Sequence, residues 1–116
     1  MPMTVEQLLQ QVHSQPDSVE FDQVMAVIDA HYRYTPTAFH NGEVYNPAGS
    51  NEGSCKLLAF AQLSALGELE TLALFGRYYR EDVLGHPAGD DHANIRNFLL
   101  DGWLGVRFEG QPLTAV

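Results

Sequence analysis

The segment from Cys55 to Leu66 constrains the fold more than any other part of the chain. Apolar side chains occupy nearly every position of this segment, and its polar members are Lys56, Gln62 and Ser64. A helix that is apolar on nearly all sides has to be surrounded by other parts of the protein. The sequence therefore predicts a central helix that the remaining elements enclose.

Two helices are predicted before this segment. The first extends from about Thr4 to Ser14, with Thr4 as its N-cap and Gln7 as the capping-box partner three residues later. The second is predicted from apolar residues that recur at helical spacing, namely Phe21, Val24, Met25, Ile28 and Tyr32. Both helices should pack one face on the core.

Two further helices are predicted after the central one. The fourth extends from Glu68 to Leu84 as one continuous helix. The fifth begins with Asp90 or Asp91 as its cap and ends at Gly102, a residue type that often terminates helices. Its expected buried positions are Ile95, Phe98 and Leu99.

The β-structure is predicted to be small. Asn41-Gly42 lies between two short β-prone runs, which is a strong signal for a hairpin, and residues 103–108 are predicted to add a third strand. The fold class is therefore α+β: a mainly helical chain of about five helices with a small two- to three-stranded antiparallel sheet. A chain of 116 residues is close to the commonest domain size, so residues 1–116 are expected to form a single domain.

The charge composition argues against two classes of partner. The chain has 15 acidic and 6 basic residues, a net charge of −9, and Lys56 is its one lysine. Nucleic acids and anionic membranes bind clusters of basic residues, so neither is expected as a partner. No apolar run approaches the roughly 18 residues of a membrane-spanning helix, and the start of the chain does not resemble a signal peptide.

One cysteine, Cys55, is present, so no internal disulfide can form and a reducing, cytoplasmic location is expected. A chain of this length can bury enough surface to fold without a cofactor or metal, and none is predicted. His86, Asp90, Asp91 and His92 are residue types that bind transition metals, but their spacing is not diagnostic. Local roles at helix ends explain them equally well.

Cys55 supports two opposite hypotheses. Near the start of a helix and beside Lys56, its thiolate would be stabilised, and His92 could serve as base with Asp90, Asp91 or Asn94 to orient it. The chain would then be a thiol-dependent hydrolase or transferase. A free cysteine is more often a buried apolar residue, however, and the sequence favours this inert role.

The loop from Asn46 to Ser54 is longer than a simple connection requires, which is typical of a binding loop. The residues that could contact a ligand are Asn51, Ser54, Lys56 and Arg96. For Arg96 the sequence favours a structural role instead, either pairing with an acidic neighbour such as Asp91 or packing over the ring of Tyr78 or Trp103. A non-enzymatic binding or interaction module, whose partner is a protein or a small molecule, is the function that the sequence favours.

Several runs in a fixed order resemble the HopJ family. They are residues 25–29 (MAVID), 34–39 (YTPTAF), 53–57 (GSCKL), 60–63 (FAQL), 76–80 (GRYYR) and 91–98 (DHANIRNF). The resemblance implies the family's label, type III effector of bacterial plant pathogens, and hence secretion into a host cell. It implies no catalytic residue. A helix that begins at about residue 4 would also leave almost no free leader for such secretion.

Overall fold

The computed structural model describes residues 3–116 of the chain. Met1 and Pro2 lie outside the described residues, so the part of the signal-peptide prediction that concerns them is not tested by the structure. Over residues 3–116 the α-helices are α1 (Val5–Ser14), α2 (Phe21–His31), α3 (Glu52–Leu63), α4 (Glu68–Ala73) and α5 (Ala93–Asp101). The strands are β1 (Tyr32–Tyr34), β2 (Phe39–Asn41), β3 (Val44–Asn46), β4 (Val106–Phe108) and β5 (Leu113–Ala115). Short 3₁₀ turns cover Pro16–Ser18 and Gly102–Gly105, and a π-helical segment covers Tyr78–Val83.

Helix α3 is the centre of the core, as its apolar composition predicts. Leu57, Leu58 and Phe60 have no exposed surface, and they belong to one cluster of buried apolar side chains to which α1, α2, α5 and the strands contribute. Helix α2 packs closely against α3. Burial of each such leucine or phenylalanine contributes roughly 1.5–3 kcal/mol to folding.

Helix α1 begins as predicted. The Thr4 hydroxyl accepts a hydrogen bond from the Gln7 amide at 3.1 Å, and the Gln7 side chain accepts one from the Thr4 amide at 2.9 Å. Helix α2 covers the predicted stripe except for Tyr32, which begins β1. Local capping and periodicity were therefore sufficient signals for these two helices.

The predicted hairpin and third strand form one antiparallel sheet. Strand β2 lies between β3 and β4, and Phe39 is paired with Asn46 on one side and Phe108 on the other. A second sheet, β1 paired with β5, was not predicted. The α+β class is confirmed, with the additional sheet as a correction.

The hairpin turn lies one residue later than the prediction. Asn41 is paired with Val44, so Gly42 and Glu43 form the turn and Asn41 is the last residue of β2. Gly42 has a φ of 62°, which a glycine adopts without strain. As a result, the Asn41 side chain is fully buried and not in a solvent-exposed turn.

The prediction of one continuous fourth helix is wrong. Helix α4 ends at Ala73, Gly76 has a φ of 63°, and the chain resumes as the π-helical segment. A Cβ atom at Gly76 would lie 2.8 Å from the Phe21 backbone nitrogen. The helix therefore breaks where the chain passes against the start of α2, a contact that helical periodicity cannot reveal.

Two predictions about α5 also need correction. His92 occupies the N-cap position, with a φ of 51° and no side-chain cap, so neither Asp90 nor Asp91 caps the helix. Ile95 and Phe98 are buried as predicted, but Leu99 is 46% exposed. Gly102 does end the helix, with a φ of 64°.

Within residues 3–116, no helix combines the length and the apolar character that crossing a membrane requires.

Gly76 and Gly49 offer a matched test of the packing at the break. Both have positive φ, but a Cβ at Gly49 would meet nothing within 4 Å. Gly49→Ala should lower the free energy of unfolding by about 1–2 kcal/mol through backbone strain alone. Gly76→Ala should lower it by about 2–5 kcal/mol, because steric overlap with α2 adds to the strain. Urea denaturation measures both, and equal losses would contradict the close approach.

Candidate functional site

Helix α3 begins with an unusual cap. Asn51, at the N-cap position, is in the left-handed region with φ 52° and ψ 48°, and no side chain caps the helix. The first turn is Glu52, Gly53 and Ser54, whose amides have no acceptor within the helix. Cys55 has the first amide that bonds back, to the Asn51 carbonyl oxygen at 3.0 Å.

Helix α5 begins in the same way. His92 is in the left-handed region, and no side chain caps the helix. The Arg96 amide donates to the His92 carbonyl oxygen at 3.0 Å, so the amides of Ala93, Asn94 and Ile95 precede the helical hydrogen bonds. The N-terminal turns of α3 and α5 therefore both offer free donors at the positive ends of their helix dipoles.

Buried asparagines hold these two helix starts together. The Asn94 side chain accepts from the Asn41 and Asn46 amide groups at 3.0 and 3.1 Å, and donates to the Asn46 oxygen at 2.9 Å. Asn51 donates to the same Asn46 oxygen at 2.6 Å. The hairpin, the start of α3 and the start of α5 are thus joined by side-chain amides.

A cleft with a volume of about 360 Å³ lies between the two helix starts, and we refer to it as the α3–α5 cleft. Aromatic rings form one wall, and Phe21 contacts Tyr78 edge-on at 5.3 Å between ring centroids. None of the lining residues is acidic. They are Phe21, Asn51, Gly53, Ser54, Phe75, Tyr78, His92, Ala93, Asn94 and Ile95.

His92 lines the cleft, and acidic side chains lie close to its ring. Its Nε2 lies 3.0 Å from an Asp82 carboxylate oxygen and 3.9 Å from one of Asp91, and its ring contacts that of Tyr78. Asp90 has no hydrogen bond or ion pair with His92 among the described residues. The carboxylate nearest to this ring is that of Asp82, which the sequence did not single out, and Asp91, one of the predicted orienting residues, lies farther away.

Arg96 has a structural role, as one of its two predicted alternatives stated. Its guanidinium donates to the Asp91 carboxylate at 2.6 Å and to the backbone oxygens of Asp91, His86 and Asp82. The hydrogen bond from Arg96 holds the pKa of the Asp91 carboxyl below its ordinary value. Arg96 therefore fixes the loop before α5, and it does not line the cleft.

Cys55 lies in the core and not in the cleft. Helix α3 begins three residues earlier than predicted, so the Cys55 amide is bonded and the thiol has no exposed surface. Its sulfur donates to the Thr37 carbonyl oxygen at 3.6 Å. Burial raises the pKa of the Cys55 thiol to about 11, although the Tyr34 hydroxyl nearby opposes the rise.

Among the described residues, no hydrogen bond or ion pair joins the predicted thiol to the predicted base. Cys55 contacts Thr37 and Tyr34, whereas His92 contacts Asp82 and Tyr78. Within the described residues, His, Cys, Asp and Glu side chains also form no group of three or more that could hold a metal ion.

The other predicted binding residues divide into two sets. Asn51 and Ser54 line the α3–α5 cleft. Lys56 does not, because its ammonium group pairs with Asp29 at 3.0 Å and lies 5.1 Å from the centre of the Tyr34 ring.

Sequence reasoning missed three groups that build the cleft. Asn46 was predicted as part of a loop, Asn94 was predicted only as a partner of His92, and Tyr78 was not among the predicted ligand contacts. Tyr78 is 37% exposed at the cleft, while Asn46 is fully buried. An asparagine in a hairpin strand is unusual enough to be a signal, because asparagine is depleted in strands.

Comparisons with other proteins agree with this fold. The structure matches the crystal structure of VPA0580, a protein of unknown function, with a TM-score of 0.98 and 52% sequence identity, over 100% of this chain and 97% of that one. No curated protein matches the chain. A family model described as "HopJ type III effector protein" matches residues 5–113. Since the family model matches most of the 116 residues of this chain, the chain belongs to the HopJ family.

Proposed function

We propose that this protein is a non-enzymatic binding module whose ligand occupies the α3–α5 cleft. The observation that carries the proposal is the cleft itself, a space of about 360 Å³ between two uncapped helix starts. Although the chain has a net charge of −9, no acidic side chain from residues 3–116 lines the cleft. Such an arrangement is suited to a ligand with hydrogen-bond acceptors.

The chemistry of the walls narrows the class of ligand. The first-turn amides of α3 and α5 can donate hydrogen bonds to oxygen atoms, and the helix dipoles favour partial or full negative charge there. The rings of Phe21, Phe75 and Tyr78 offer apolar and aromatic contact beside these donors. A small molecule, or an exposed side chain of a protein partner, that combines an acceptor group with a planar ring fits both walls.

The thiol-dependent alternative receives less support. A nucleophilic cysteine needs an accessible thiolate near a base. The Cys55 thiol is fully buried with a raised pKa, and its polar neighbours do not include His92.

Two proposals concern location. The single free cysteine supports a reducing compartment, so we propose that the protein acts in a cytoplasm. The family description supports delivery into a host cell by a type III system. Delivery is compatible both with a binding module and with a thiol-dependent enzyme.

The cleft can be tested with small aromatic carboxylates as probes. We expect benzoate-type compounds to shift the NMR amide signals of Gly53, Ser54, Ala93 and Asn94, because these groups line the cleft. Ala93→Trp should fill the cleft and weaken binding by about tenfold or more, as the bulky ring displaces the ligand. Ala48→Trp is the matched control, since Ala48 is exposed outside the cleft. Shifts elsewhere, or equal binding by the two variants, would oppose the proposal.

The inert role of Cys55 can be tested by thiol labelling. Native protein should react with a thiol reagent near neutral pH at least about 100-fold more slowly than unfolded protein, since reagent reaches the thiol only through opening of the core. His92→Gln should leave the native rate unchanged. Fast native labelling that slows in His92→Gln would revive the thiol-dependent alternative.

The same thiol should make stability depend on pH. Its folded pKa of about 11 exceeds its ordinary value of 9.0, so unfolding releases a proton between these values. Its contribution to stability is complete below pH 9 and is lost as the pH rises towards 11. The free energies of unfolding of wild type and Cys55→Ala, compared over this range, measure the effect together with the coupling of Cys55 to Tyr34.

Delivery can be tested with a translocation reporter fused to the C-terminus. If the protein is an effector, a reporter signal should appear in host cells exposed to a bacterium with a working type III system. A matched strain that lacks the secretion apparatus should produce no signal. Absence of signal from both strains, with the fusion expressed in each, would refute delivery.

A further inference from the structure

An exposed apolar surface lies on the outer side of α5. We define the leucine surface as Leu84, Leu99 and Leu100, which are 51%, 46% and 81% exposed. With Val83, Pro87, Gly89 and Arg96 they line a cavity of about 330 Å³. Monomeric proteins rarely leave several large apolar residues together in water unless the patch binds something.

The leucine surface is a preformed feature of the fold. Ile95 and Phe98 turn the inner face of α5 into the core, which leaves Leu99 and Leu100 outside. The opposite wall is held by Arg96, which donates to backbone oxygens of Asp82, His86 and Asp91. A partner would therefore meet a cavity whose walls are already in place, which reduces the entropy lost on binding.

The charges beside the leucine surface point to one kind of partner. Glu81 and Asp90 are exposed, and they adjoin the surface in the chain: Asp90 follows Gly89, and Glu81 precedes Leu84 by three residues. Neither forms an ion pair with another residue in the part of the chain described. The Arg96 charge is already matched by Asp91. The free charge around the leucine surface is thus negative.

We propose that the leucine surface docks a basic, amphipathic segment of another protein. Apolar side chains of that segment would enter the cavity, and its lysines or arginines would face Glu81 and Asp90. A second copy of this chain fits less well, because each copy carries a net charge of −9 and a two-fold contact would oppose like carboxylates. The leucine surface and the α3–α5 cleft share no lining residue, so the two proposals can fail independently.

Two synthetic helical peptides with the same leucine spacing test this proposal. At every position that is not leucine, one peptide has lysine and the other has glutamate. Binding of each peptide to the protein is measured by fluorescence anisotropy at low and high salt. The lysine peptide should bind, and added salt should weaken it because the ionic contacts are screened. Leu100→Glu should weaken its binding by about tenfold or more, as an apolar contact is lost.

Leu69→Glu is the matched control, since Leu69 is 76% exposed but does not line this cavity. It adds the same charge and should leave the affinity of the lysine peptide within about twofold of wild type. If Leu100→Glu and Leu69→Glu changed the affinity of the lysine peptide equally, the binding would be explained by general attraction between charges, and the proposal would be overturned. Equally tight binding of the glutamate peptide would overturn it as well. Sedimentation that detects a wild-type dimer lost in Leu100→Glu would assign the surface to a second copy and also overturn it.

Discussion

The buried contact among asparagines is the interaction on which the geometry of the candidate site depends. Asn94 lies near the start of α5, Asn46 in β3 and Asn51 at the start of α3, and their side-chain amides bond directly to one another. A buried amide that loses its partner costs about 1–3 kcal/mol, so each member requires the others. The hairpin therefore fixes where both helices begin, and with them the cleft between their first turns.

Asn41 extends this contact, but only one of its two side-chain polar atoms has a partner among the described residues. Its amide nitrogen donates to the backbone and side-chain oxygens of Asn94, while its own side-chain oxygen is buried with no partner in the part of the chain described. Buried acceptors without a partner are uncommon in folded proteins and are often satisfied by an ordered water molecule. The asparagine contact therefore leaves one acceptor, the Asn41 side-chain oxygen, without a hydrogen bond from the described residues.

Helix α5 connects the two surfaces for which we propose binding. Its first turn lines the α3–α5 cleft, whereas Leu99 and Leu100 near its end form part of the leucine surface. Arg96 lies between these two regions and holds the preceding loop by several hydrogen bonds. By contrast, Cys55 is enclosed in the core. In this member of the HopJ family, the binding that we propose therefore involves two surfaces of α5 and not the buried thiol.

The sequence by itself determined the elements whose signals are local. The capping box at Thr4, the apolar composition of α3, the hairpin near Gly42 and the helix end at Gly102 all act between residues close in the chain, and each was confirmed with small shifts in position. A one-residue shift at the hairpin was enough to bury Asn41, however, and a three-residue shift at α3 removed the Cys55 thiol from the free first turn.

Tertiary structure alone decided the pairing of β1 with β5, the break at Gly76 and the meeting of Asn46 with Asn94, because the partners in each case are far apart in the chain. Contacts of that kind depend on how whole elements pack, and neither residue carries a pattern that identifies the other. The same reason explains why the candidate site could be predicted only in part: the sequence pointed to Asn51, Ser54 and His92, whereas the aromatic wall and the asparagines that complete the cleft became evident only once the helices were packed together.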